Sequence, residues 1–194
     1  MPIILVSGFD AWGDLTANPA WLAVEAAKPV LPAGWELCKV RLPVSWDEAL
    51  DLLLEAWTED VAAVLAFGVA PIEGIALEQI AINLTGGEDV DGKLPSNTQV
   101  IPNGPAGYWS TLPIELLNEG LAHANLPVTN SAHAGTFLCN FLFYQIIHQA
   151  LWVSPEIPAG FIHLSNLKGE CLVDQDALTK TVEVAVEFTA MSRS

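Results

Sequence analysis

Three residues of this chain have the side chains that nucleophilic catalysis uses: a thiol, an imidazole and a carboxylate. Cys139 lies near the start of a helical pattern, where free backbone N–H groups and the helix dipole stabilise a thiolate. His163 lies at the carboxyl end of the apolar run 161–164, where open α/β sheets place ligand and catalytic residues. Glu78 interrupts the apolar segment 75–84, and it needs a partner because burying an unpaired charge is costly.

Each of these residues also has an ordinary structural interpretation. Cys139 could face the sheet as a packing residue, since cysteine is among the most buried residue types. His163 could be a core histidine bonded to the backbone, and Glu78 could point to solvent from an edge strand. Together the three fit a Cys-His-acid triad, in which the thiol attacks a carbonyl, the imidazole transfers the proton and the carboxylate fixes the imidazole tautomer.

The elements that must position these residues alternate along the chain. Buried runs predict strands at 3–7, 35–42, 61–67, 75–84, 127–131 and 160–165. Apolar stripes predict helices at 19–28, 46–57, 113–124, 135–150 and 174–190. This alternation predicts one α/β domain over residues 1–194, with a mostly parallel or mixed central sheet and helices on both faces, a three-layer α/β/α arrangement.

Local signals give finer expectations for individual residues. Gly68 is predicted to end the third strand, and Leu54 is predicted to face the core from the second helix. Asn18 and Asp174 are predicted to cap the first and last helices. Residues 85–108 are rich in Gly, Pro, Asp and Asn, and so long a loop is expected to be functional or an interface arm.

Composition excludes several classes of partner. With 7 Lys and Arg against 23 Asp and Glu, the net charge of −16 repels nucleic acids and anionic membrane surfaces. No apolar run approaches the roughly 20 residues of a membrane-spanning helix, and the N-terminus lacks a basic leader, so a cytoplasmic protein is expected. The 7 Trp in so weakly charged a chain indicate a buried subunit contact, and hence a homo-oligomer such as a dimer or a larger assembly.

Neither a metal nor a nucleotide is expected to bind. The glycines of segment 8–13 have the spacing of a phosphate loop, but Asp14 and Leu15 replace the Lys-Ser/Thr pair that such a loop requires. The remaining histidines and cysteines lack metal-ligand spacing and are interpreted as surface, capping or packing residues: His123, His133, His148, Cys38 and Cys171.

Four parts of the chain together resemble one enzyme family: 4–10 with Trp12-Gly13 and Asn18-Pro19, then 78–83, 131–140 and 161–163. They resemble the opening strand, the glutamate motif, the cysteine motif and the histidine segment of the type I pyroglutamyl peptidases. Members of that family are cysteine exopeptidases that remove an N-terminal pyroglutamyl residue from peptides. The resemblance spans most of the chain.

The resemblance implies a role for five residues. Cys139 is then the nucleophile, His163 the acid and base, and Glu78 the orienting carboxylate, while Phe9 and Trp12 hold the pyroglutamyl ring. It further implies an intracellular, often tetrameric enzyme without metal or cofactor, whose partner is a peptide with an N-terminal pyroglutamate.

Two departures from the family pattern bear on the substrate. Val69 stands where the family has a glutamine that contacts the substrate, and residues 84–110 contain Lys93 but no arginine, although the family commonly carries one there. Because valine cannot hydrogen-bond a cyclic amide, we expect weak or relaxed hydrolysis of pyroglutamyl substrates. Two other hypotheses stay open: a weak or inactive homologue that binds a blocked N-terminus or small cyclic amide, and an enzyme for another small acyl or lactam substrate.

Overall fold

The computed structural model describes residues 1–13 and 15–193, in which strands and helices alternate as predicted. The strands in these residues are β1 (Ile3–Phe9), β2 (Glu36–Leu42), β3 (Val61–Ala70), β4 (Ile75–Ile82), β5 (Gly107–Trp109), β6 (Val128–His133) and β7 (Ala159–Ser165). The helices are α1 (Pro19–Ala26), α2 (Ala49–Ala56), α3 (Ile114–His123), α4 (Leu138–Val153) and α5 (Gln175–Met191).

All seven strands form one mixed sheet. Their order is β2-β1-β3-β7-β4-β5, and β6 also pairs with β4. The strands β2, β1, β3 and β7 are mutually parallel, whereas β4 runs antiparallel to β7 and β5 and parallel to β6. The carboxyl ends of β1, β3 and β7 therefore meet at one edge, where parallel sheets place their functional sites.

Two apolar clusters lie on opposite faces of the sheet. Helices α1, α3 and α5 pack on one face, and α2 and α4 pack on the other. The predicted three-layer α/β arrangement with a mostly parallel sheet is therefore confirmed. Within the described residues, no helix is long and apolar enough to cross a bilayer.

Two predicted helix starts are confirmed by their caps. The Asn18 side chain accepts a hydrogen bond from the Ala20 N–H, and the Asp174 side chain accepts one from the Ala177 N–H. Asp14, one of the residues that argued against a phosphate loop, lies outside the described residues.

Other local predictions were wrong. Gly68 does not end a strand, because hydrogen bonding to β7 continues β3 as far as Ala70. Helix α2 begins at Ala49 instead of position 46, and Leu54 is 37% exposed on its outer side. The helix predicted from position 135 begins at Leu138, since the residues just before it form a turn and an extended segment.

One buried amide attaches the first turn of α4 to the end of β4. Asn140 is fully buried, and its Nδ2 donates to the Ile82 and Leu84 carbonyls at 2.8 and 2.9 Å. Its Oδ1 accepts from the Ile82 N–H at 2.9 Å. Because Asn140 follows Cys139, this contact fixes the position of the thiol relative to β4.

We predict that Asn140→Ala lowers the free energy of unfolding by about 2–4 kcal/mol, because it removes three hydrogen bonds between a fully buried amide and part-buried backbone groups of Ile82 and Leu84. Urea unfolding followed by circular dichroism measures the change. Asn118→Ala is the matched control: its amide bonds Asn130 at the surface, so it is expected to cost less than about 0.5 kcal/mol. Equal stability of the two variants would show that the buried amide does not hold α4 on the sheet.

Candidate active site

Glu78 and His163 form a buried pair across two antiparallel strands. Ala76 of β4 lies opposite His163 of β7, and Glu78, two residues further along β4, is on the same face. The Glu78 Oε1 atom lies 2.7 Å from His163 Nδ1, and the two residues are only 2% and 7% exposed. The carboxylate therefore holds a proton on Nδ1 and fixes the ring orientation.

This placement decides between the interpretations left open above. Glu78 lies inside β4, not at a strand end, and it does not point to solvent from an edge strand. His163 lies near the carboxyl end of β7 as predicted, but its ring is bonded to a carboxylate instead of to the backbone. The structure thus brings these two predicted site residues together.

Cys139 is the second residue of α4, and its thiol is half-buried. The preceding N-cap, Phe137, is extended and provides no side-chain acceptor for the first turn. The first N–H groups of a helix have no partner inside the helix, so they surround Cys139 with hydrogen-bond donors. The predicted position at a helix start is therefore confirmed, whereas the chemical role remains a proposal.

Gly68 is the site residue whose role the sequence analysis missed. A Cβ atom added at Gly68 would lie 3.0 Å from Cys139 Sγ and 2.7 Å from the Phe161 ring. Gly68 also pairs with His163 across β3 and β7. The absence of a side chain at this position thus makes room for the thiol beside the imidazole. A glycine inside a buried strand was the available signal.

The surroundings of His163 favour its protonated form. Burial alone lowers the pKa of the imidazole, but the Cys139 sulfur, through its charge and a hydrogen bond, and Glu78 outweigh burial and raise this pKa to about 10. Among the described residues, the second Glu78 oxygen, Oε2, has no hydrogen-bond partner. The imidazolium is therefore the main compensation for the buried carboxylate charge.

An apolar recess opens beside the thiol. Its volume is about 370 Å³ including its mouth, and its lining residues are Phe9, Trp12, Asn18, Val44, Val69, Phe137, Leu138 and Cys139. Apart from Cys139 and the indole N–H of Trp12, Asn18 is the only polar side chain among the described residues that line it. Its amide is already engaged by the Asp10 carbonyl and the Ala20 N–H. The recess thus suits a small, uncharged group held next to Sγ.

Aromatic packing attaches the 85–108 loop to one wall of this recess. The Phe137 ring lies 5.4 Å from Trp12 and 5.5 Å from Trp46, between ring centroids. Trp46 Nε1 donates to the Gly87 carbonyl, and the backbone N–H of Trp46 donates to Asp89. The loop therefore holds Trp46 in place, and Trp46 in turn packs against Phe137 at the wall of the recess.

The backbone of Val69 is open toward the recess. The pairing of β1 with β3 ends where Gly8 meets Phe67. The Val64 N–H donates to the Pro158 carbonyl, on the β7 side of β3. The backbone N–H and C=O groups of successive residues alternate between the two sides of a strand, so those of Val69 face the β1 side. They lie beyond the last residue of β3 that pairs with β1. One donor and one acceptor are thus available beside the apolar walls.

The other residues considered in the sequence lie away from this centre. His133 Nδ1 accepts from the Gly135 N–H, and His148 bonds the Tyr108 hydroxyl. Lys93, the cation of the loop region, pairs with Asp47 at 2.7 Å. In residues 1–13 and 15–193, no group of three or more His, Cys, Asp or Glu side chains is arranged to hold a metal ion.

These features define a class: an α/β protein with a cysteine, a histidine and a carboxylate gathered beside an apolar recess. The sequence matches the family described as pyroglutamyl peptidase over residues 3–192. It is 30% identical over 201 residues to the pyrrolidone-carboxylate peptidase of Bacillus thuringiensis, covering 97% of this chain and 93% of the relative. The chain belongs to the pyroglutamyl peptidase family.

Further relatives and solved structures agree. The chain is 37% identical over 174 residues to pyrrolidone-carboxylate peptidase 2 of Photorhabdus laumondii, covering 84% of this chain and 77% of the relative. The structure of Bacillus amyloliquefaciens pyroglutamyl peptidase I superposes with a TM-score of 0.89 at 29% identity, over 98% of each chain. The Thermococcus litoralis pyrrolidone carboxyl peptidase superposes with a TM-score of 0.90 at 26% identity, over 100% of this chain and 95% of the other.

We predict that the His163 ring titrates well above pH 6.5 and that Cys139→Ala lowers its midpoint, because the sulfur no longer stabilises the imidazolium. Imidazole proton shifts followed by NMR between pH 5 and about 11 measure this, with the signal assigned by its loss in His163→Gln. Cys38→Ala, which removes a thiol from β2, is the control and leaves the midpoint in place. A midpoint unmoved by Cys139→Ala would contradict the sulfur–imidazole contact.

Proposed function

We propose that this protein is a cysteine peptidase that removes an N-terminal pyroglutamyl residue from peptides. The observation that carries the proposal is the half-buried Cys139 thiol, placed between a buried His163–Glu78 pair and an apolar recess. The names of the relatives, pyrrolidone-carboxylate peptidase and pyroglutamyl peptidase, support the choice of substrate.

The proposed reaction uses only groups of this chain. The Cys139 thiolate attacks the pyroglutamyl carbonyl, and N–H groups at the start of α4 stabilise the oxyanion. His163 donates its proton to the departing amine as the carbon–nitrogen bond breaks, which leaves a thioester on Sγ. His163 then removes a proton from the water that hydrolyses this thioester. Glu78 holds the ring in place and stabilises its positive charge in both steps.

The recess accounts for selection of a blocked N-terminus. An ordinary peptide would bring a charged ammonium group against walls formed by Phe9, Trp12 and Phe137, where a charge loses its hydration. The pyroglutamyl ring is uncharged, and its faces are apolar. Its lactam carries one N–H and one C=O, which match the open C=O and N–H of the Val69 backbone. Charge therefore excludes most peptides, and the lactam groups orient the ring.

A second candidate function is favoured by the Val69 side chain. Valine supplies apolar contact where the family has a hydrogen-bonding glutamine, so another small acyl amide without a lactam group also fits the recess. This candidate differs from the first only in the acyl group. The comparison of pyroglutamyl and cyclopentanoyl substrates below distinguishes the two.

The predicted homo-oligomer and cytoplasmic location remain predictions. Support for assembly comes from the carboxyl end of α4, where Trp152 is 83% exposed and lies between the exposed side chains of Leu151 and Val153. Whether two or four copies assemble is decided by light scattering of the purified protein. None of the proposed catalytic side chains lies in this apolar patch.

We predict that hydrolysis of pyroglutamyl-aminocoumarin falls by at least about 1000-fold in Cys139→Ala and in His163→Ala, because members of a catalytic unit act together. Glu78→Gln is expected to lower kcat by about 100-fold with little change in KM, since an uncharged partner stabilises the imidazolium poorly. Alanyl and prolyl analogues with a free amine should not be hydrolysed by the parent.

The matched control for these variants is Cys38→Ala, which removes a thiol from β2. It should retain parental activity, and circular dichroism should show all variants folded. Turnover retained in Cys139→Ala or His163→Ala rules out the mechanism. A Glu78→Gln variant as fast as the parent reduces the catalytic unit to a Cys-His dyad.

We predict that Val69→Gln raises kcat/KM for pyroglutamyl-aminocoumarin about 5-fold, which corresponds to one added hydrogen bond of about 1 kcal/mol. The cyclopentanoyl analogue has no lactam, so its kcat/KM should not rise. The parent should therefore discriminate less between the two rings than the variant does. Val69→Leu is the control that changes size without adding a hydrogen-bonding group.

If Val69→Gln changes neither the efficiency nor the ratio between the two rings, the side chain at position 69 does not contact the acyl group. The lactam is then recognised by the backbone alone. If the parent hydrolyses the cyclopentanoyl substrate as fast as the pyroglutamyl substrate, the second candidate function replaces the first.

A further inference from the structure

A second recess adjoins the first. It has a volume of about 670 Å³ including its mouth and is lined by Trp12, Gly13, Leu15, Val69, Ala70, Pro71, Asn166 and Lys168. Trp12 and Val69 line both recesses, so the two are continuous. Asn166 follows β7 only three residues after His163, the proposed proton donor to the departing amine. The second recess thus lies beside the acyl recess and close to the end of the strand that carries His163.

Lys168 brings a positive charge to this recess in a chain with a net charge of −16. Three other Lys or Arg residues form salt bridges within the described residues: Arg41 with Asp10, Lys93 with Asp47 and Lys180 with Glu183. Lys28, Lys39 and Arg193 form none there, but they do not line the recess. Within residues 1–13 and 15–193, Lys168 forms no salt bridge. No carboxylate of the described residues neutralises its ammonium group, which can therefore attract a negatively charged ligand.

A tight turn holds the backbone of Lys168 at the recess. The Asn166 N–H donates to the Ala70 carbonyl at 3.0 Å, which attaches the turn to the end of β3. The Asn166 side chain accepts from the Lys168 N–H at 3.0 Å. Leu167, between them, has a φ of +56°, in the left-handed region. The Cys171 thiol donates to the Lys168 carbonyl at 3.6 Å. The backbone of Lys168 is thus held at the wall of the recess.

We propose that the second recess binds the residue that follows pyroglutamate and that Lys168 selects a carboxylate there. The carboxylate has two possible sources: an acidic side chain, or the free C-terminus of a dipeptide. The remaining surface repels acidic peptides because of its net charge, so local attraction must come from this side chain. The inference rests on the proposed peptidase function and adds a preference for the leaving group.

The test compares kcat/KM within two matched substrate pairs at low salt. Pyroglutamyl-glutamate amide against pyroglutamyl-glutamine amide reports a side-chain carboxylate, and pyroglutamyl-alanine against its amide reports a C-terminal carboxylate. The parent should prefer the carboxylate in at least one pair by about 2- to 5-fold, the range of a solvent-accessible ion pair. Lys168→Gln should remove the preference, Lys168→Glu should reverse it, and added salt should weaken it in the parent.

Lys180→Gln is the matched control, because it removes a lysine from α5 and should keep the parental preference. A preference for carboxylates that survives Lys168→Gln, or no preference in either pair, overturns the proposal. Failure of the proposed function is seen separately, as no hydrolysis of pyroglutamyl-aminocoumarin by the parent. In that case calorimetry with the same four peptides repeats the comparison as binding, and equal affinities within both pairs overturn the proposal.

Discussion

The structure of the site depends on one buried ion pair, between Glu78 and His163. A carboxylate that is 2% exposed is stable only if a positive charge compensates it, and the imidazolium 2.7 Å away provides that charge. The Cys139 sulfur favours the same charge state of the ring. The interaction that compensates the charge of Glu78 in the core thus also keeps a proton next to the thiol, where the proposed acyl transfer uses one.

The mixed sheet makes this pair possible. Because β4 is antiparallel to β7, Glu78 in the middle of β4 lies close to His163 near the carboxyl end of β7. Gly68 on the neighbouring strand leaves space for the thiol, and Asn140 fixes the first turn of α4 above it. Aromatic side chains from the end of β1, from the segment after it and from the start of α4 then line the recess. The pairing of β4 with β7 thus determines where the Glu78–His163 pair lies. The packing of α4 on the sheet determines where the Cys139 thiol lies.

The sequence predicted the layers because local patterns carry that information, in the strand runs and in the Asn18 and Asp174 caps. It singled out Cys139, His163 and Glu78 by their side-chain types, and their proposed roles came from the resemblance to a known family, because each residue alone also has a structural interpretation. It did not predict features that depend on pairing between distant segments. Gly68 was interpreted as a strand end, since only the hydrogen bonds to β7 show that the strand continues. The open backbone of Val69 and the packing of the 85–108 loop on Phe137 likewise follow from tertiary contacts.

The most direct test of the account is to trap the covalent intermediate. The parent protein is mixed with a pyroglutamyl ester in excess, quenched with acid within one turnover, digested and mapped by mass spectrometry. The account predicts one added pyroglutamyl group, as a thioester on the peptide that contains Cys139. It also predicts none on peptides that contain Cys38 or Cys171. A pyroglutamyl group on another residue, or hydrolysis that proceeds unchanged in Cys139→Ala, would contradict it.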